Sequence, residues 1–371
     1  MQKPMSCIDG VLLRSSKPLP NARKSLEHLQ KRRIPFILLT NGGGKSEEER
    51  VKQVSQLLDI PLNISMFVQS HTPFQQLVDG KFGGSDYQKL KTKTVLVVGG
   101  EGARCRQVAK GYGFERVITP GDIITAYPHL MPFADPERYK MHSQSVDRPL
   151  SARHLSPHSA REDLLKIDAI LVFNDPRDWV LDIQLIVDLL LSQSGYLGSL
   201  SPKNGDSSLP NKGYQQDGQP PIYFSNPDLF WAAEYHLPRF GQGAFREALE
   251  GVWNAITGGE RAGVTLNKTM IGKPFQKTFD FAEQRLLAHR EELHGTVQQL
   301  HDVYMIGDNP ESDILGANRY RSPRNVRWHS ILVRTGVYES GEPRVKPTAI
   351  VHDVWEATQS ALRQSSEQVL L

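Results

Sequence analysis

The chain has 371 residues, of which 39% are hydrophobic and 23% charged, and a formal net charge of +3. That composition implies a soluble globular protein of one large or two ordinary domains, and the small net charge gives no ground for a nucleic-acid or membrane partner. Two cysteines, Cys7 and Cys105, make no disulfide framework, so a reducing compartment is the default.

No stretch is long and apolar enough to span a bilayer; the nearest, Trp179 to Leu191, is broken by Asp182 and Asp188. No signal or transit peptide precedes the first motif, so any import signal is expected upstream of this sequence, if at all.

The first strong strand is predicted at Ile34 to Leu39, a continuous apolar run suited to a parallel sheet buried on both faces. It ends in Thr40-Asn41-Gly42-Gly43-Gly44. A helix follows, with Ser46 and Glu49 spaced as a capping box and Val51, Val54, Leu57 and Leu58 on its apolar face. Phe67 to Gln69 reads as the next strand. Strands at Thr94 to Val98, Ile167 to Phe173 and Ile222 to Ser225 then alternate with helical patterns, which implies a second, mostly parallel sheet. Two polar segments interrupt this block, Pro132 to Glu162 and Ser201 to Pro220, both expected to be long, mobile surface loops. Helical spacing returns at Phe245, Ala248, Leu249, Val252, Trp253 and Ile256. Short strands are predicted at Val303 to Ile306, Ile331 to Val333 and Ala349 to Val351.

Three segments place polar residues where strands end: Cys7-Ile8-Asp9-Gly10, Leu39-Thr40-Asn41 and Ile306-Gly307-Asp308-Asn309. Strand carboxyl ends in a parallel sheet converge on one crevice. Asp9, Thr40 and Asp308 are therefore expected to meet there, with Asp313 one loop further on. Several carboxylates in one crevice make a hard oxygen site suited to Mg²⁺. Taken singly, each piece is more often a turn or a helix entry; their order and strand context raise the joint weight.

The order I-D-G-V-L, I-L-L-T-N, I-G-K-P and M-I-G-D-N-x-x-x-D resembles the four motifs of the haloacid dehalogenase (HAD) superfamily. A segment inserted between the second and third motifs looks like subfamily IIA. T-N-G-G-G, Q-S-H-T-P, V-F-N-D-P-x-D-W and F-G-Q-G-A-F are similar to the branch named after cat eye syndrome critical region protein 5, which has fungal mitochondrial members. The resemblance covers nearly the whole chain apart from the polar loops and tail. It implies a HAD-like doubly wound α/β core at 1–90 and 240–371 with an inserted α/β cap at 91–239.

The resemblance also implies roles. The family's first aspartate attacks phosphorus, and that position here is Cys7. Asp9 matches the general acid and base, and Thr40 the residue that hydrogen-bonds the phosphoryl group, with backbone amides near Asn41 and Gly42 assisting. Lys273 matches the charge-neutralising lysine. Asp9, Asp308 and Asp313 match the Mg²⁺ site, and Asn226 and Asp228 substrate contacts in the cap. The implied partner is a small phosphorylated metabolite, with a hint of glycerophospholipid metabolism because some relatives are fused to a CDP-alcohol phosphatidyltransferase domain. The implied compartment is the mitochondrion, otherwise the cytoplasm. Oligomeric state is not legible.

Cys7 departs from the family pattern. A thiol offers one soft sulfur where a carboxylate offers two hard oxygens, so both attack and metal binding are expected to suffer. The residues before it, Lys3-Pro4-Met5-Ser6, predict a short and weak central strand, since Pro4 cannot donate to a ladder. A misassigned start and a genuine substitution are equally compatible with this. Two functions follow: a Mg²⁺-dependent phosphatase, or a catalytically silent relative that binds a phosphorylated ligand or a protein. Among other residues, Asp175 and Asp178 are expected to cap or flank a helix, with Arg177 beside them, His71 to be structural, and Cys105 to be a small buried residue.

Overall fold

The computed structural model describes residues 3–6, 8–14, 17–82, 89–100, 102–132, 150–156, 158–160, 163–231, 235–295 and 300–367. Cys7 and most of the predicted polar segment 132–162 lie outside them. The chain divides into two compact units: Met1–Pro73, Ala232–Leu237 and Ile271–Leu371 form the first, and Phe74–Trp231 with Pro238–Met270 the second.

The first unit is built on a six-stranded sheet. Its spatial order is Ala349–Val351, Arg327–Val333, Asp302–Gly307, Lys3–Ser6, Ile37–Leu39, Phe67–Val68, every pair parallel. The short strand Lys3–Ser6 is central as expected, and pairs with Asp302–Gly307 despite Pro4, which lies opposite Tyr304. From that strand the chain moves outward to Ile37–Leu39 and Phe67–Val68, and later returns to the other side at Asp302–Gly307. The reversal falls between Lys3–Ser6 and Asp302–Gly307, which is where a doubly wound sheet opens a crevice at its carboxyl edge. Ile37, Leu38, Leu39, Val303, Met305 and Ile306 are all buried, consistent with helices on both faces.

The helix after Thr40 starts where its sequence says it should. Ser46 accepts the Glu49 N–H at 3.2 Å, and the helix runs Glu47–Leu58 with Val51, Val54 and Leu58 buried. The predicted strand at 34–39 is shorter than its apolar run: only Ile37–Leu39 is extended in the sheet, while Arg33 just before it adopts a positive φ of 53°.

The second unit carries its own five-stranded parallel sheet, in the order Thr269–Met270, Ile222–Phe224, Ala169–Val172, Thr94–Val98, Arg116–Ile118. Its limits differ from the expected 91–239 on both sides. The helix Gln242–Thr257 buries Phe245, Leu249 and Trp253 in the same apolar cluster as Val172, Phe224 and Leu185, while Val252 and Ile256 face solvent. Phe74 packs against Phe173, with ring centroids 4.9 Å apart. Helical periodicity marks an apolar face but does not say which core receives it. The polar segment 201–220 is pinned rather than loose. The Asn211 amide pairs with the N–H and carbonyl of Thr265 at 2.8 and 3.0 Å, and the Gln215 amide does the same with Asn267. Asp178 caps the helix Trp179–Leu191 by accepting the Leu181 N–H at 3.2 Å, and Cys105 is buried, its thiol pushed up to about 12 by that burial.

His71 fixes the loop that leaves Ile37–Leu39. It is fully buried, and its Nε2 accepts the Gly44 N–H at 3.2 Å, so the neutral ring carries its proton on Nδ1. Burial lowers its pKa to about 4, against a partly opposing pull from Glu47. The depressed value means that His71 favours the folded state fully above pH 6.5, and that this contribution is lost as pH falls towards 4. Urea unfolding of the chain is therefore expected to lose on the order of 3 kcal/mol between pH 6.5 and 4 from this group. A His71→Gln protein should show a flatter profile across that window, and equal slopes would contradict the assignment.

Candidate active site

The polar strand ends of the first unit converge as the parallel topology requires. Gly10, at φ +78°, is the residue on which the two sides close. A Cβ there would lie 2.1 Å from Asp308 Oδ2, and one on Gly336 would lie equally near the same oxygen. Only glycines let the Asp308 carboxylate pack between the two loops. Thr335 Oγ1 donates to the Gly10 carbonyl at 2.6 Å, and the Val337 N–H donates to Asp308 Oδ2 at 2.8 Å. The loop after Arg327–Val333 thus belongs to the site, a contribution the motif reading missed. Its signal was present: another buried parallel strand ending in a polar Thr335-Gly336 pair.

Asp313 lies under Gly307, where a Cβ would come within 2.2 Å of the Asp313 Cβ. Its Oδ2 accepts the N–H groups of Asp308 and Asn309, both at 3.1 Å, and its Oδ1 accepts from Lys273 Nζ at 2.7 Å. Asp313, expected at the metal site, is thus engaged on both oxygens and anchors the lysine. Lys273 is 1% exposed, and Nζ also lies 3.4 Å from the Leu39 carbonyl. A lysine so deeply buried is found only where it is paired.

Asn41 locks that lysine to the second strand end. Its Nδ2 donates to the Lys273 carbonyl at 3.0 Å, and its Oδ1 accepts the Lys273 N–H at 2.8 Å. The Asn41 side chain is thus a two-point clamp on the backbone of Lys273. Gly42 is exposed, and its N–H donates back to Thr40 Oγ1 at 2.9 Å. A Cβ on Gly42 would lie 3.2 Å from Thr40 Oγ1 and 3.9 Å from Asp9 Oδ2, so these three residues share one neighbourhood. Asp9 is the open member: its side chain is 60% exposed, with Arg50 Nη2 3.8 Å from Oδ1.

Charge is unbalanced in the buried part. Asp308 and Asp313 are both buried beside a single ammonium. Burial, and next the Asp313 charge, raise Asp308 to about 7, only partly offset by the Val337 N–H and Lys273. Among the described residues no group of three His, Cys, Asp or Glu side chains gathers closely enough to hold a metal.

Asn226 and Asp228 lie in the second unit, after Ile222–Phe224. Asn226 Oδ1 accepts the Asp228 N–H at 2.8 Å, and the Asn226 N–H donates to Gln242 Oε1 at 2.9 Å. Asn226 therefore shapes a turn at the carboxyl edge of that sheet. Asp175 occupies the same edge, and burial raises its pKa.

Two parts of the chain match known families. The haloacid dehalogenase-like hydrolase family is matched over residues 5–115, and a HAD-hydrolase-like family over residues 270–357. A mitochondrial hydrolase of Saccharomyces cerevisiae is 38% identical over 96% of this chain and 94% of its own length. The chain belongs to the haloacid dehalogenase-like hydrolase family. A cardiolipin synthase (CMP-forming)/mitochondrial hydrolase fusion protein of Schizosaccharomyces pombe is also 38% identical over 96% of the chain, which spans only 52% of that longer protein. The HAD fold is shared with a glycerol phosphate phosphatase of Mycobacterium tuberculosis solved in complex with calcium. The TM-score is 0.54 at 17% identity, over 97% of this chain and 74% of that one.

The buried pair gives a direct test of the site's construction. Asp313→Asn keeps an oxygen for the two backbone N–H groups but strands the Lys273 ammonium. Removing one partner of a buried ion pair costs about 3–5 kcal/mol, so the variant should lose that much stability in urea unfolding. A loss below about 1 kcal/mol, the range of exposed pairs, would contradict the buried pairing.

Proposed function

We propose that the chain is a phosphatase-type scaffold that binds the phosphoryl group of a small phosphate monoester in this crevice, and that Cys7 at the attacking position suppresses turnover. The observation that carries the reading is the lysine: an ammonium buried to 1% exposure, clamped by Asn41 and aimed at Asp313, where the strand ends bearing Asp9, Thr40 and Asp308 converge. Phosphoryl transfer depends on positioning and charge neutralisation, and such a fixed cation supplies both without reorganising. Thr40 Oγ1, buried beside Gly42 and Asp9, would hydrogen-bond the phosphoryl oxygens. Asp9 would protonate the leaving oxygen and later take the proton of the attacking water.

The donor set fits Mg²⁺ in the mode that uses one or two carboxylates, waters and the substrate phosphate. Asp308 supplies the buried carboxylate beside the Lys273–Asp313 pair, and Asp9 is the second candidate; Asp313 acts through Lys273. When bound, such an ion would neutralise charge on the phosphoryl oxygens. Position 7 fits it least, since sulfur is a poor ligand for a hard cation.

The alternative, a silent module that binds a phosphorylated ligand, rests on that same residue. A thiol becomes a strong nucleophile only where cations or a helix N-terminus favour the thiolate, and losing a nucleophile elsewhere costs on the order of 10⁶ in turnover. The names of the two yeast relatives support a mitochondrial location and, through the fusion, a link to glycerophospholipid metabolism. Asn226 and Asp228 are candidates for substrate choice by resemblance to the family.

Phosphate release from a panel of phosphate esters, with and without Mg²⁺, tests the proposal when the chain and its Cys7→Asp variant are compared. Mg²⁺-dependent turnover is expected in Cys7→Asp and at least about 10³-fold less in the chain itself. Comparable rates in both would overturn the role given to position 7, and turnover in neither would overturn the phosphatase scaffold.

A further inference from the structure

Arg50 has no role in the reading above, yet it is the cation nearest to Asp9. It projects from the first turns of the helix Glu47–Leu58, and its side chain is only 20% exposed. Its Nη1 donates to the neutral amide oxygen of Gln53 at 2.9 Å. Its other contact is Asp9 Oδ1, 3.8 Å from Nη2, too long for a hydrogen bond. A guanidinium has five N–H donors in a rigid fork that matches carboxylates and phosphates, and most of these donors are uncommitted among the described residues. Lys45 approaches the same Gln53 oxygen at 3.4 Å, with Glu49 3.4 Å away on its far side. Each of these cations has a carboxylate within 4 Å, Glu49 for Lys45 and Asp9 for Arg50.

A helix-surface contact explains the Arg50–Gln53 bond, since residues three apart are neighbours. It leaves the rest of the guanidinium unused: at 3.8 Å Asp9 is too far to accept a hydrogen bond, so the fork lies against that carboxylate with donors to spare among the described residues. Arg50 is also distinct from the buried lysine: Lys273 is tied to Asp313, whereas Arg50 lies against Asp9, the 60%-exposed residue assigned to the leaving oxygen.

We propose that Arg50, assisted by Lys45, recognises a second anionic group on the leaving-group side of the substrate. The ligand class is then a phosphate monoester that also carries a carboxylate or a second phosphate. This rests on the phosphoryl-binding reading of the crevice and narrows it to doubly charged esters.

Calorimetric titration tests it without needing turnover. The chain as it stands, Arg50→Gln and Arg50→Lys are titrated with inorganic phosphate and two matched pairs of probes. Glycerol 3-phosphate against 3-phosphoglycerate asks about a carboxylate, and fructose 6-phosphate against fructose 1,6-bisphosphate asks about a second phosphate. The chain is expected to prefer the doubly charged member of at least one pair by about tenfold, or about 1.4 kcal/mol. Arg50→Gln should abolish that preference while changing inorganic phosphate affinity less than about twofold, and Arg50→Lys should keep part of it. Absence of a preference in the chain, or its survival in Arg50→Gln, overturns the inference alone. If neither phosphate nor any ester binds, the phosphoryl-site reading fails and the inference falls with it.

Discussion

The first unit is organised around one ammonium group that must not meet water. Lys273 is sequestered at 1% exposure, and the cost of removing its charge from solvent is met by Asp313 at 2.7 Å. Each half of that pair fixes another part of the chain. Asp313 receives the N–H groups of Asp308 and Asn309 and so sets the loop after Asp302–Gly307, while the backbone of Lys273 receives both ends of the Asn41 amide and so sets the loop after Ile37–Leu39. The pair thereby ties together two strand ends from opposite halves of the sequence.

The glycines complete this construction by absence. Gly307 makes room for Asp313, and Gly10 and Gly336 make room for Asp308. Any side chain at these three positions would push a carboxylate out of the crevice. What remains open are Asp9 and Gly42, beside which Thr40 lies buried. Rigid interior charge and an accessible outer face are the two properties that preorganised phosphoryl binding requires.

Much of this was legible in the sequence because parallel sheets impose their own grammar. Buried strands read as continuous apolar runs, and the polar residue that stops each run lands on one edge. That logic located Asp9, Thr40 and Asp308, and resemblance supplied Lys273. It could not show which partners the side chains of Asn41 and Asp313 take within the fold: both bind Lys273. It passed over Thr335 and Val337, whose contributions are a hydroxyl and a backbone N–H. It placed the helix Gln242–Thr257 in the wrong unit, because an amphipathic pattern is the same whichever core receives it. Arg50 looked like an ordinary solvated helix residue until its direction was known.

The central claim is that a buried lysine preorganises a phosphoryl-binding crevice independently of what stands at position 7. Titration of orthovanadate, a tetrahedral oxyanion like the transferring group, tests this most directly in the chain, in Lys273→Met and in Thr40→Val, which leaves the buried pair intact. One oxyanion should bind per chain, with affinity reduced on the order of 10²-fold or more in Lys273→Met and less severely in Thr40→Val. Binding that is unchanged in both variants, or absent from the parent chain, would contradict the account.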